Sequence, residues 1–295
     1  MPFIALLTKE LRSRLRRERT IWIIIAYILI MSLLGWIVVG RYTGYSTYNS
    51  NNFSNAGLNF YYLLSMIQLF LILFATPAFT STAVNGEKER QTFDLLLCSQ
   101  LSSFSLVAGK LIAGLVNALL LVIAAIPLFS LVFLFGGVSP EQVLIALLIY
   151  FVTALMSGAF GVLCSTIFKR PTISTVITYI LGALWLVIPV VATYLWIITG
   201  NQAPSSNQIL FLYAWHPVMA MISSYSTGNS IFVFNAGWLK IAHWIMYTVL
   251  CLVATAIFFA LSMWAAKPNP SVRLRAHLRT RRKKSNLGNK ATAAA

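Results

Sequence analysis

The chain has 295 residues, of which 59% are apolar and only 9% charged, and its mean hydropathy is +0.80. A soluble domain of this size needs far more polar surface, which leaves a polytopic membrane protein as the class. A net charge of +16 would also suit a nucleic-acid binder, but the basic residues are distributed as in a membrane protein, and no nucleic-acid partner is expected.

Residues 1–20 read as an amphipathic elbow helix lying in the membrane interface. Ile4, Leu7, Leu11 and Leu15 recur at helical spacing, and Lys9, Arg12 and Arg16 lead the basic residues between them. A membrane helix needs about 20 mainly apolar residues to cross the hydrocarbon core. Six runs meet that length: Ile21–Gly40, Leu58–Ala83, Leu111–Phe135, Gln142–Phe168, Ile173–Thr199 and Ile241–Ala266. The expected fold is therefore an all-α integral membrane bundle of six transmembrane helices spanning residues 21–266. The first run is long enough to stay as a span rather than be removed as a leader.

Arg41–Gly57 is a polar loop without a chemical signature, and Gly136–Glu141 is a tight turn. The segment of about 200–240 is the longest loop on that side. Its apolar stretch Ile209–Met221 is too short to span and reads as re-entrant, capping the mouth of the bundle. His216, Met219 and Met221 in that stretch offer imidazole and thioether donors suited to Cu(I). Methionine is common in apolar helices, however, and Pro217 disturbs the geometry, so no metal and no cofactor are assigned. Pro77, Pro127 and Pro189 are expected to kink the second, third and fifth spans. Ser157, Gly161 and Ser165, four residues apart on the fourth, form a small-residue ridge for close helix approach. Residues 267–295 form a basic tail that reads as disordered, near anionic lipid.

Twenty of the 22 basic residues fall on one side of this six-span arrangement, leaving only Arg41 and Lys240 on the other. The positive-inside rule then puts both termini and the loop 86–110 in the cytoplasm, and the expected location is a bacterial plasma membrane. That loop, GEKERQTFDLLLCSQLSSFSLVAGK, holds Glu87, Glu89 and Asp94, three of the six acidic residues in the protein. The charged start passes into Phe93 and Leu95–Leu97, with Thr92 as the expected cap of a short helix parallel to the membrane. Apolar anchors ringed by charge suit the groove of a cytosolic partner.

No Asp, Glu, Lys or Arg is expected inside the six spans, which argues against ion-coupled transport and a charged channel filter. Nor does the chain carry a phosphate-binding loop of its own. Gly109-Lys110 is followed by Leu111 and preceded five residues earlier by Phe104, so both required positions fail. Any ATPase must be a separate subunit.

The residues Glu87-Lys88-Glu89-Arg90-Gln91-Thr92-Phe93-Asp94-Leu95-Leu96, with a late Gly109-Lys110, resemble the type-2 ATP-binding-cassette (ABC) permease family. The likeness runs over about the first 135 residues, from Lys9-Glu10-Leu11-Arg12 through the Pro77 turn. Beyond them it extends to the span count and to Trp215–Pro217. Gln91 departs from the family's frequent Gly, and Gln100-Leu101 from its common Ser/Thr-x-Pro turn. The resemblance implies that Glu87, Glu89, Arg90, Thr92, Phe93 and Asp94 form a coupling helix that docks on cytosolic ATP-binding subunits. It also implies a second permease subunit, as a homo- or heterodimer in membrane lipid, and an exporter of apolar or amphipathic cargo. The chain itself would not be an enzyme. Two other readings are a non-transporting scaffold or sensor coupled to an ATPase, and a membrane-embedded enzyme. The second lacks a base or nucleophile beside its carboxylates beyond Cys98.

Overall fold

A computed structural model describes residues 18–44, 50–89, 103–199, 206–225, 233–236 and 239–266. The expected elbow with Lys9, Arg12 and Arg16 lies outside them. So do Arg90, Thr92, Phe93 and Asp94, and the basic tail.

Six long helices dominate: α1 (Glu18–Gly44), α2 (Ser50–Thr80), α4 (Ser103–Phe135), α5 (Pro140–Ile167), α6 (Pro171–Ile198) and α9 (His243–Ala265). A short helix, α3 (Asn85–Glu89), follows α2, and two more, α7 (Ser206–Leu212) and α8 (Pro217–Tyr225), follow α6. Among the described residues, five helical stretches are long and apolar enough to cross a membrane: Gly57–Glu89, Phe104–Phe133, Pro140–Ile167, Pro171–Ile198 and His243–Ala265. A shorter apolar stretch, Ile25–Ile37, lies in α1. The all-α membrane class holds, with one small exception. A β-hairpin, β1 (Val233–Ala236) and β2 (Leu239–Ala242), pairs Val233 with Ala242 and Ala236 with Leu239. Ile241 and Ala242 therefore belong to a strand, and the last helix starts at His243.

The helix ends follow local chemistry. Gly136 and Gly137 have φ of 78° and 89°, a conformation that glycine adopts without steric cost, and they turn the chain sharply after α4. Ser139 then caps α5: its hydroxyl accepts the Gln142 N–H, the Gln142 side chain accepts the Ser139 N–H, and Pro140 takes the first helical position. Pro171 likewise takes the first helical position of α6, here without a side-chain cap from Arg170, and only residues 168–170 separate α5 from α6. Pro77, Pro127 and Pro189 lie inside α2, α4 and α6.

α5 is the axis of the bundle. It packs against α2, α4, α6, α8 and α9, and its side chains are buried along most of its length. α6 is the opposite case. It touches chiefly α5 and α2 and leaves Ile180, Leu184, Val187, Val191 and Leu195 exposed. An apolar helix this open is stable only against lipid or another membrane subunit, because contact with water is unfavourable for every uncovered side chain.

Candidate functional site: a polar joint and an apolar cavity

The N-terminal part of α4 holds a buried charge that hydropathy did not place there. Lys110 was expected at the edge of a loop. It sits seven residues into α4, about 10 Å from the helix start at 1.5 Å per residue. Its side chain is 4% exposed and forms a salt bridge with Glu87 on α3, which is 22% exposed. Lys110 still precedes the apolar run expected from Leu111, but the helix begins earlier, at Ser103, so Lys110 is helical rather than part of a loop. The physical reason is that Ser103–Gly109 continues the helix below the apolar window, while Glu87 is brought in to neutralise the ammonium.

Glu87 and Glu89 therefore do different things. Glu87 faces the bundle and Lys110, whereas Glu89 is exposed at the end of α3. Lys88, between them, donates from Nζ to the Thr166 carbonyl at 2.5 Å. Of the sequence-expected coupling residues, these carboxylates are the two within the described residues. Each of the three charged residues in α3 has its own direction.

Four helices meet just above α3. Thr80, the last residue of α2, is wedged between two glycines. A Cβ at Gly114 of α4 would lie 2.3 Å from Thr80 Cγ2, and one at Gly161 of α5 would lie 2.1 Å from Thr80 Oγ1. The small-residue ridge on α5 thus does admit a close neighbour, and the neighbour is the end of α2. Below the wedge, Ser165 Oγ accepts the backbone N–H groups of Val84 and Asn85 at 2.8 and 3.1 Å. From α6, Ser174 Oγ donates to the Ser81 carbonyl at 2.7 Å, and Thr175 Oγ1 lies 3.1 Å from Ser81 Oγ. Sequence reasoning missed Ser174, Thr175 and the pairing role of Ser165. Ser165 was legible only as a small residue on a ridge.

A cavity of about 450 Å³ opens next to this joint, between α2, α5 and α6. Leu73, Phe74, Met156, Phe160, Trp185 and Leu186 are among its lining residues. The hydroxyls on its wall are already used. Ser157, Thr178 and Tyr179 donate to the carbonyls of Ala154, Ser174 and Phe74 at 3.3, 2.7 and 2.8 Å. The volume falls in the range of about 300–1,000 Å³ typical of small-molecule pockets, and the lining is chiefly apolar, with the buried Trp185 Nε1 lacking a hydrogen-bond partner among the described residues.

The opposite end of the bundle is plugged by tyrosines. Tyr225 of α8 stacks on Tyr62 with ring centroids 4.4 Å apart and meets Tyr61 edge-on at 5.5 Å. Its hydroxyl lies 2.5 Å from Ser65 Oγ, and the Gln142 side-chain amide donates to its carbonyl at 3.0 Å. Tyr150 donates to the Ser65 carbonyl at 3.0 Å, and Tyr27 bonds Gln68. The expected re-entrant stretch Ile209–Met221 is thus two short helices, α7 and α8, with a turn between them. Their apolar faces are buried on the bundle: Leu210, Ala220 and Met221 are each 2% exposed or less.

Two histidines fasten that turn. His216 Nε2 donates to the Leu186 carbonyl of α6 at 3.2 Å, and His243 Nε2 to the Tyr213 carbonyl at 3.0 Å. His216 Nδ1 is buried with no hydrogen-bond partner among the described residues. Burial holds the His216 pKa below the ordinary 6.5, outweighing the opposing pull of the Leu186 hydrogen bond. The unfolded chain therefore takes up a proton here at a pH where the folded chain does not. Stability from this residue is full above about pH 6.5 and is lost as the pH falls from there through the folded value. Melting of the purified protein in detergent should drop on acidification below about pH 6.5, and His216→Gln should remove part of that slope. An unchanged slope in the variant would refute the assignment.

A helical bundle with five stretches among the described residues long and apolar enough to span, and a cavity among them, defines an integral membrane protein. The family model for the ABC-2 family transporter protein matches residues 41–264, most of the chain, so the protein belongs to that family as its membrane permease component. No curated protein matches the sequence significantly. Among the described residues, no group of three His, Cys, Asp or Glu side chains could hold a metal ion.

Proposed function

We propose that this chain is the permease subunit of an ATP-driven exporter. Two cytosolic ATP-binding subunits dock on loop 86–110, and a second permease, identical or related, completes the membrane unit. In this reading α1 is the sixth span, both termini are cytoplasmic, and residues 1–20 and 267–295 lie along the inner leaflet of a bacterial plasma membrane. The paired permease covers part of the uncovered apolar face of α6.

The observation that carries the reading is the two-sided character of α3. Glu89 is exposed to a partner, while Glu87 and Lys88 are tied to α4 and α5. A push on the exposed edge is thereby delivered through Lys88 to α5, which lines the cavity, and through Glu87 to α4. ATP closure then shifts the bundle between two arrangements, one open to the inside and one to the outside. With every cavity hydroxyl already bonded, the cargo is an apolar or amphipathic molecule such as a lipid, an apolar peptide or a drug-like compound.

The test is affinity purification from detergent, scored for a co-purifying ATPase. Wild type should recover one, and Glu89→Arg should lose it with the bundle still folded. Glu87 is a poorer probe, because its loss also strips Lys110 of its carboxylate. A folded wild type that recovers no ATPase would shift the reading to a scaffold. A small inorganic ion as the sole cargo in liposomes would overturn the cavity argument.

A further inference from the structure

α2 ends at Thr80 and α3 begins at Asn85, and the cause of the break lies on two other helices. A straight continuation would send the Val84 N–H to the Thr80 carbonyl and the Asn85 N–H to the Ser81 carbonyl. Both amides donate instead to Ser165 Oγ, from α5. The Ser81 carbonyl is taken by Ser174 Oγ of α6 at 2.7 Å and by the Asn85 side-chain amide at 3.2 Å. The Thr80 carbonyl accepts the Ala83 N–H at 3.1 Å in a tight turn. The Val84 and Asn85 amides and the Thr80 and Ser81 carbonyls thus each have another partner in the bent form. Ser165, Ser174, Ser81 and Asn85 are all fully buried, so water cannot serve as a third option.

Alternative partners for the same buried amides and carbonyls are what a two-state element requires. We propose that Ser165 and Ser174 are positioning residues for coupling: they hold the α2–α3 joint bent, and the joint exchanges with a continuous α2–α3 helix during the transport cycle. The coupling role rests on the permease reading above. The bend itself does not.

The experiment separates the two. Nitroxide labels are placed at Glu89→Cys and Ile167→Cys, both exposed positions, in the full chain carrying Cys98→Ser. Cys164 and Cys251 are buried and stay unlabelled. Ser165→Ala should move the bent-to-straight ratio by about tenfold, seen as a second distance population, because one side chain serves two buried amides. Ser174→Ala should move it the same way but less, since the Asn85 amide still bonds Ser81. Thr255→Ala is the control. It removes a buried hydroxyl that bonds the Cys251 carbonyl of its own helix at 2.7 Å, and it should leave the distances unchanged.

In the unlabelled protein, Ser165→Ala should still recover the ATPase while transport per ATP falls about tenfold. A merely structural serine would lower yield without separating those two readouts. Distance distributions of Ser165→Ala and Ser174→Ala that superimpose on wild type would overturn the proposal, and Ser174→Ala decides alone if Ser165→Ala does not fold. A wild type that captures no ATPase sinks the permease reading instead, and the distances still judge the joint.

Discussion

Gly161→Ala should destabilise the folded bundle by about 1–3 kcal/mol, the usual cost of forcing a methyl group into a packed core. The added Cβ would stand 2.1 Å from Thr80 Oγ1, 3.1 Å from Thr80 Cβ and 3.3 Å from the Ser81 backbone nitrogen. None of these atoms is the far end of a flexible chain. Thr80 is branched at Cβ and is held from the other side by Gly114, while Ser81 is backbone bonded to the neighbouring helices. Helix propensity works in the opposite direction, since alanine is favoured over glycine by about 1 kcal/mol inside a helix. The clash wins because neither α2 nor α4 can retreat without opening the other contact. The measurement is the thermal midpoint in detergent for Gly161→Ala, Thr80→Ala and the double variant. Thr80→Ala removes the nearest atom, so the double variant should recover part of the loss and show a coupling of about 0.5–3 kcal/mol, as residues in direct contact do. Strict additivity would mean that the two residues do not touch. At Gly182, on the open helix α6, a methyl group would meet no atom within 4 Å, and Gly182→Ala should be neutral or mildly stabilising.

The second large effect lies in the Glu87–Lys110 pair. Breaking a buried ion pair from one side costs about 3–5 kcal/mol, because the remaining charge stays in a medium that does not solvate it. The two sides are not equivalent here. Lys110 is 4% exposed and anchored inside α4, whereas Glu87 is 22% exposed on a short helix. Glu87→Gln takes the carboxylate charge from an ammonium that is only 4% exposed and should cost close to that range. Lys110→Met strands a carboxylate that can turn outward, and should cost less. Glu87→Gln with Lys110→Met removes both charges and should fall below the sum of the single losses. Thermal midpoints of the three variants provide the check. If Lys110→Met proved the more damaging, the burial asymmetry would not be what sets the cost.

These two predictions meet at one place. The wedge of Thr80, the bend closed by Ser165 and Ser174 and the Glu87–Lys110 pair stack along the same end of the bundle, next to the apolar cavity. At the other end, Tyr61, Tyr62 and Tyr225 close over Ser65, while His216 and His243 hold the α7–α8 turn. The cavity therefore lies between a joint built from backbone exchange and a plug built from aromatic rings. The two ends respond to different perturbations. Losing a hydroxyl acts on the joint, and lowering the pH acts through His216 on the plug.

Much of this was readable from the residues in order. The spanning runs, the turn at Gly136–Gly137 and the start of α5 at Ser139-Pro140 are set by neighbours a few positions away. Hydropathy, positive φ and capping are all local in cause. The charged cluster at Glu87–Glu89 also stood out, because carboxylates are scarce in this chain. Pairing was different. Lys110 reads as a loop-edge lysine until Glu87, 23 positions earlier, is packed against it, and Ser165 reads as a small residue until Val84 and Asn85 arrive from 81 and 80 positions away. Those partners are chosen by how α2, α4, α5 and α6 cross, and the crossing depends on the summed fit of many weak contacts that no single segment encodes. Composition and order alone thus determined a helical membrane protein and the core of its apolar runs, while several helices extend beyond the expected ends, α4 starting at Ser103 rather than Leu111 and α2 at Ser50 rather than Leu58. Only the tertiary structure decided which serine ends α2 and which carboxylate neutralises Lys110, because a buried polar group must find its partner wherever the packing of distant segments puts one.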